Sequence, residues 1–273
     1  MKTILLNLLF VFTGIYQIVA QISDADSLQN LIIKHPQHDT LRASLLNQLA
    51  WEIKGDDILK IQILSEEALT ISKQQNYEKG QALALANLSL FYTRMAQQDK
   101  ARYYTNEALA LAKRINRADV FARVYIAISV YYITYTDDAD YSTPMTLFQE
   151  ALKYATLVGD DDIIIYALWR ISIDYFESQD NIIEGLRHMY QALEHAEING
   201  KFKFIGEISS AISSQYTYLG DFNQALKYAN QAKSVAQYSS AQSLAFINGD
   251  LSAYYFAIKD YSKAIEYQKK YVH

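Results

Sequence analysis

The chain has 273 residues, 51% hydrophobic and 20% charged, a balance that suits a folded protein and excludes a disordered one. Its formal net charge of −5 lacks the positive field that grips phosphate backbones, so no nucleic acid partner is expected. The absence of cysteine rules out disulfides, thiolate metal sites and a cysteine nucleophile, while only 2 prolines and 9 glycines favour long helices over a sheet-rich fold.

Met1 to Ala20 reads as a secretory signal peptide. Lys2 supplies the positive start, residues 4–19 form an apolar run, and the small Ala20 precedes the polar Gln21-Ile22-Ser23-Asp24. A retained anchor is the competing reading, but the run is short and is diluted by Asn7, Thr13, Gly14 and Gln17. The expectation is an exported chain, periplasmic or extracellular, with no membrane insertion once the leader is removed. Residues 21–40 follow as an N-terminal helix and linker: Asp24 to Lys34 is predicted helical, Pro36 stops it, and Asp39 or Thr40 caps the next helix.

From residue 41 onward one pattern recurs: a branched apolar residue, a small residue, two free positions, then a large apolar or aromatic residue. It appears as Leu49-Ala50…Ile53, Leu88-Ser89…Tyr92, Ile128-Ser129…Tyr132, Ile171-Ser172…Tyr175, Ile212-Ser213…Tyr216 and Leu251-Ser252…Tyr255. The leading residues lie 39, 40, 43, 41 and 39 apart. Each copy is followed by a pair spaced by seven, such as Ala101/Ala108, Gly185/Ala192 and Ala225/Ala232. Residues four apart share one helical face, and small residues let a second helix approach closely. The spacing therefore predicts six pairs of antiparallel helices, over about 41–80, 81–119, 120–162, 163–203, 204–242 and a truncated 243–273. Gly159-Asp160 and Asn199-Gly200 are expected as left-handed helix ends between units, and Gly220-Asp221 lies between the two helices of the fifth unit. Thr143 is expected as a cap, with Pro144 opening its helix.

The stretches 211–236 (AISSQYTYLGDFNQALKYANQAKSVA) and 250–271 resemble tetratricopeptide repeats, and the resemblance extends over residues 41–273. The period is near forty rather than thirty-four, and Ser or Ala stands at the usual Gly position. Long-period arrays of this kind resemble the sensor regions of exported bacterial signalling proteins and helical receptors for signalling peptides. The resemblance implies an all-α, right-handed superhelical solenoid whose first helices line a concave face that holds peptides or proteins. On it the candidate ligand-binding residues are Trp51, Arg123, Ile126, Val130, Tyr166, Trp169, Arg170, Ile173 and Phe176. Two readings stay open: a groove burying an apolar peptide with arginines on its carboxylate or carbonyls, or core covered by the array's own helices.

No catalytic residue, cofactor or metal is expected. His188 and His195 lie seven residues apart, about 10 Å along a helix and too far for one ion. The acidic loop Asp137, Asp138, Asp140 lacks the glycine and closing glutamate of a calcium loop. At the C-terminal end, Ala264, Ile265 and Val272 are expected to lack a covering helix. Continuation into a longer signalling protein, homodimerisation, or tolerated exposure are the competing accounts, the first favoured. The expected function is a non-catalytic peptide- or protein-binding scaffold of the cell envelope. Its alternatives are the sensory region of a longer membrane-spanning regulator, of histidine-kinase or transcription-regulator type, and a metal-dependent or other enzyme.

Overall fold

A computed structural model describes residues 24–53, 57–135, 142–177, 181–239 and 241–272. They form thirteen α-helices, with no strand among the described residues. Helix α1 is Asp24–Lys34. Six hairpins follow: α2 (Thr40–Glu52) with α3 (Ile58–Gln74), α4 (Glu78–Arg94) with α5 (Gln98–Ile115), and α6 (Ala118–Tyr135) with α7 (Ser142–Val158). The rest are α8 (Asp161–Glu177) with α9 (Ile182–Ile198), α10 (Phe202–Leu219) with α11 (Phe222–Ser234), and α12 (Ala241–Ala257) with α13 (Tyr261–Val272). The export leader and the acidic loop at 137–140 lie outside the described residues, so their readings stay expectations. None of the described helices is long and apolar enough to cross a membrane.

The short connections explain why the helices fold back. The chain turns through left-handed backbone at Gly159 and Gly200, as expected, and also at Gly220, Asn76, Ala96, Asn116 and Lys259. One such residue ends a helix without extending it, and a carboxylate or amide then opens the next. Asp221 Oδ1 accepts from Gln224 N at 3.1 Å, Asp260 Oδ1 from Lys263 N at 3.2 Å, and Asn181 Oδ1 from Glu184 N at 3.2 Å. The expected cap at Asp39 is present, accepting from Arg42 N at 3.0 Å. Helix α7 begins at Ser142, one residue before the Thr143 expected to precede it. Pro144 therefore sits within the first turn, where its missing N–H costs no helical bond.

Inside each hairpin the repeated small residues meet. Ala50, Ser89, Ser129, Ser172, Ser213 and Ser252 are buried, as are Ala68, Ala108, Ala151, Ala192 and Ala232 opposite them. Serine does more than save space here. Ser213 Oγ donates to the Ala225 carbonyl and Ser252 Oγ to the Ala264 carbonyl, both at 2.9 Å. The hydroxyl is thereby satisfied in a buried seam. In four units the tyrosine of the pattern stacks on a ring of the second helix. Tyr92 lies on Tyr104 (centroids 5.1 Å, planes 3° apart), Tyr216 on Tyr228 (6.1 Å, 5°), Tyr255 on Tyr267 (5.4 Å, 6°), and Tyr175 on His188 (5.1 Å, 24°). Each ring pair adds about 0.5–1.5 kcal/mol beyond its burial, so hairpin register is set by polar, steric and aromatic contacts together.

Successive first helices pack on one another, as α4 does on α6 and α10 on α12, whereas successive second helices scarcely meet. That asymmetry bends the stack into a solenoid with α2, α4, α6, α8, α10 and α12 on its inner side. The bend is tight enough to bring the first unit against the third. Arg123 donates to Gln48 Oε1 at 2.5 Å across 75 residues, and its guanidinium lies 5.2 Å from the centre of the Trp51 ring.

The regularity fails around α8, which approaches α6 only sparsely and α10 least of all. The backbones of α8 and α10 make almost no close approach, although α10 and α12 do so along their length. At successive inward positions α8 carries Tyr166 and Trp169 where α10 carries Glu207 and Ser210 and α4 carries Leu83 and Ala86. Rings of that size cannot nest as serine and alanine do. The inner wall therefore opens between the fourth and fifth units.

Candidate functional site

Two depressions on the inner face are formed by the described residues. The first, of about 730 Å³, lies at the amino ends of the inner helices and is lined by Gln48, Arg117, Asp119, Arg123, Asp160 and Lys201 among others. Its charges are largely satisfied within the chain. Asp119 meets Lys79 at 2.6 Å and Arg117 at 3.0 Å, Lys201 meets Asp162 at 2.9 Å, and Arg123 approaches Asp160 at 3.9 Å. The Arg117 and Lys79 cations hold the Asp119 carboxyl well below the usual carboxylate range. Such a network is a fastening for the helix starts.

The second depression is the opening between α8 and α10, a cleft of about 450 Å³ continued along α12. Tyr166, Trp169, Phe204, Phe246 and Ile247 provide apolar surface; Arg170, Lys203, Glu207 and Asp250 provide charge. Glu52 and Arg94, from the far ends of α2 and α4, close the opposite rim, because the superhelix curls back on itself. Tyr166 and Trp169 meet edge to face at 6.3 Å. Two carboxylates on this wall are held by hydroxyls of the neighbouring unit: Ser210 Oγ donates to Asp250 Oδ2 at 2.6 Å, and Ser243 Oγ donates to Glu207. Burial pushes the Asp250 carboxyl up to about 6, with the hydroxyls of Ser210 and Ser214 opposing that rise in part.

The nine candidate residues divide accordingly. Tyr166, Trp169 and Arg170 line the cleft together. Trp51 and Ile126 are about 1% exposed and belong to the core, where the tight superhelix covers them. Arg123 lines the first depression and is fastened to Gln48 and Asp160. Val130 is half-buried against the core, and Ile173, also half-buried, does not line the cleft. Phe176 turns into its own hairpin, where its ring fills the space a Cβ on Gly185 would take, 2.4 Å from that position. The open aromatic strip is therefore shorter than the inward periodicity suggested. Phe204, Lys203, Asp250 and the rim residues Glu52 and Arg94 were not among the candidates. Phe204 and Lys203 lie two turns or more before Ile212, and Glu52 and Arg94 join only through the curl.

His188 Nδ1 lies 2.9 Å from the Glu184 carbonyl while its ring stacks on Tyr175; His195 is 3.9 Å from Asp161. Each histidine thus has its own local partner. At the C-terminal hairpin, Ala264 is buried against α12, unlike the uncovered residue expected, whereas Ile265 and Tyr261 are exposed.

The fold is that of tetratricopeptide-like helical repeats. No family model and no curated protein matches the chain. Solved structures match it in fold at low identity. A crystal structure of BtubC (BKLC) from P. vanneervenii superposes with a TM-score of 0.61 at 15% identity, over 76% of this chain and 85% of that one. The apo form of RapI gives 0.60 at 11% identity, over 96% and 94%. A Rap protein complexed with Competence and Sporulation Factor gives 0.61 at 14%, over 85% of this chain and 63% of that one.

Proposed function

We propose that the protein is a non-catalytic scaffold that binds a peptide or a protein segment in the cleft between α8, α10 and α12. The observation that carries this reading is the departure from regular stacking: large aromatic residues hold two inner helices apart and leave a partly apolar cleft with charged groups at its edges. Binding sites of this size combine apolar walls with a few placed polar groups, and Trp and Tyr are the side chains that anchor interfaces most effectively. The Rap structure complexed with Competence and Sporulation Factor supports the same use of the architecture. Export to the cell envelope belongs to the proposal, supported by the leader-like composition of residues 1–20.

The test is selection of binding peptides of three to twelve residues from a synthetic library with both termini free, with the selected peptides titrated against the native protein and Trp169→Ala. Loss of the aromatic wall is expected to weaken binding about 10- to 100-fold, with the far-ultraviolet circular dichroism retained. Peptides that bind both proteins equally would place the site elsewhere.

A further inference from the structure

Charge pairing distinguishes two residues of the cleft from the rest of the inner face. Asp250 makes no ion pair among the described residues; its carboxylate is held by neutral hydroxyls only. Arg170 likewise makes no ion pair there. Its guanidinium lies over the Phe148 ring at 5.7 Å, and its Nε is enclosed without an acceptor. An unpaired charge on a partly desolvated wall is costly, yet this cleft keeps one of each sign. The first depression, by contrast, pairs its charges internally.

The repeat register places the two charges. Arg170 immediately precedes the branched core residue Ile171, and Asp250 immediately precedes the equivalent Leu251. They therefore stand at the same level on α8 and α12, with Ala211 at that level on α10 between them. Arginine and aspartate thus mark opposite ends of a cleft whose middle is small and apolar, beside Trp169 and Phe246. Helices in contact lie about 8–10 Å apart; the α10–α12 step is of that kind and the unnested α8–α10 step is wider, so the axes span at least about 16–20 Å, and the inward side chains shorten the gap between charges. An extended peptide covers about 3.3–3.6 Å per residue, so three or four residues fit between the two groups.

Resting on the reading of this cleft as the binding site, we infer that it takes short apolar peptides with both termini free, the C-terminal carboxylate against Arg170 and the N-terminal ammonium against Asp250. The guanidinium fork suits a carboxylate, and a buried carboxylate with only hydroxyl neighbours suits an ammonium. The ligand is a zwitterion whose two charges cancel those of the wall. Arg94 stands on the exposed rim, where water screens it, and the Glu207 carboxylate is occupied by the Ser243 hydroxyl.

Calorimetry with trialanine and alanyl-leucyl-alanine tests this, each as the free peptide and as its N-acetylated, C-amidated and doubly blocked forms. The free peptides are expected to bind at least tenfold more tightly than either singly blocked form. Asp250→Asn should abolish the preference for a free amine while keeping that for a free carboxylate, and Arg170→Gln should do the reverse. Arg170→Lys, which retains the charge, should restore most of the carboxylate preference and guards against a packing effect of the glutamine. Equal binding of free and blocked peptides would overturn the zwitterion assignment, and so would a variant that loses both preferences alike. If no tripeptide form binds at millimolar concentration while library-selected peptides still depend on Trp169, this inference falls and the cleft reading stands. Failure of both sets would remove both.

Discussion

Replacing Asp250 by asparagine should make the protein more stable at neutral pH. The group is a carboxylate on the cleft wall whose burial pushes it from its ordinary 3.8 up to about 6, with no cation beside it. The folded state therefore holds a proton between these two values that the unfolded chain has already released. Stability is greatest below about pH 4, falls as pH rises toward 6, and then levels off with the ionised, poorly solvated group in place. At 1.36 kcal/mol per pKa unit, the loss across this window is about 3 kcal/mol. Asparagine keeps an acceptor for Ser210 and carries no charge, but its amide is also desolvated, so about 1–3 kcal/mol should be recovered at pH 7. For a chain of this length each kcal/mol moves Tm by about 2–4 °C. The assay is thermal denaturation of both proteins from pH 4 to 8. The native protein should lose stability relative to Asp250→Asn between pH 4 and 6, with the variant more stable above that. A variant less stable than the native protein at pH 7, or a difference between them that ignores pH, would refute the reasoning.

Two further substitutions probe the hairpin contacts. Ser172→Leu inserts a branched side chain into a fully buried seam opposite the second helix, and denaturant unfolding should show a loss of about 1–3 kcal/mol. Gly185→Ala improves helix propensity by about 1 kcal/mol, but the new Cβ falls 2.4 Å from the Phe176 ring. The net result should be a loss of about 1–2 kcal/mol, and a more stable variant would show that the ring is free to swing away.

Much of this architecture was legible in the chain because a repeat states its packing six times. The Ser and Ala pairs located the hairpin seams, and Gly159, Gly200 and Gly220 located the turns, since those features act within one unit. What escaped was set by the relation between distant units. Trp51 lies at an inward position, and nothing in its neighbourhood of sequence tells that the superhelix curls tightly enough to bury it beneath Arg123. Phe176 has the inward spacing too, but the missing side chain of Gly185 draws its ring into the hairpin. The cleft needed a negative observation, that α8 and α10 fail to nest, and Tyr166 and Trp169 acquire that meaning only beside Glu207 and Ser210 in register. Asp250 was invisible for a similar reason: its isolation from any cation is a property of three helices.

The central claim is that the gap between the inner helices, and not the outer surface, is where a partner is held. Site-specific photocrosslinking tests it most directly, with a benzophenone amino acid placed at Phe246 in the cleft or at Ile183, which is 79% exposed on the first turn of α9. With a library-selected peptide, labelling is predicted from position 246, abolished by excess unlabelled peptide, and absent from position 183. Labelling at 183 that competes equally well, with none at 246, would contradict the account.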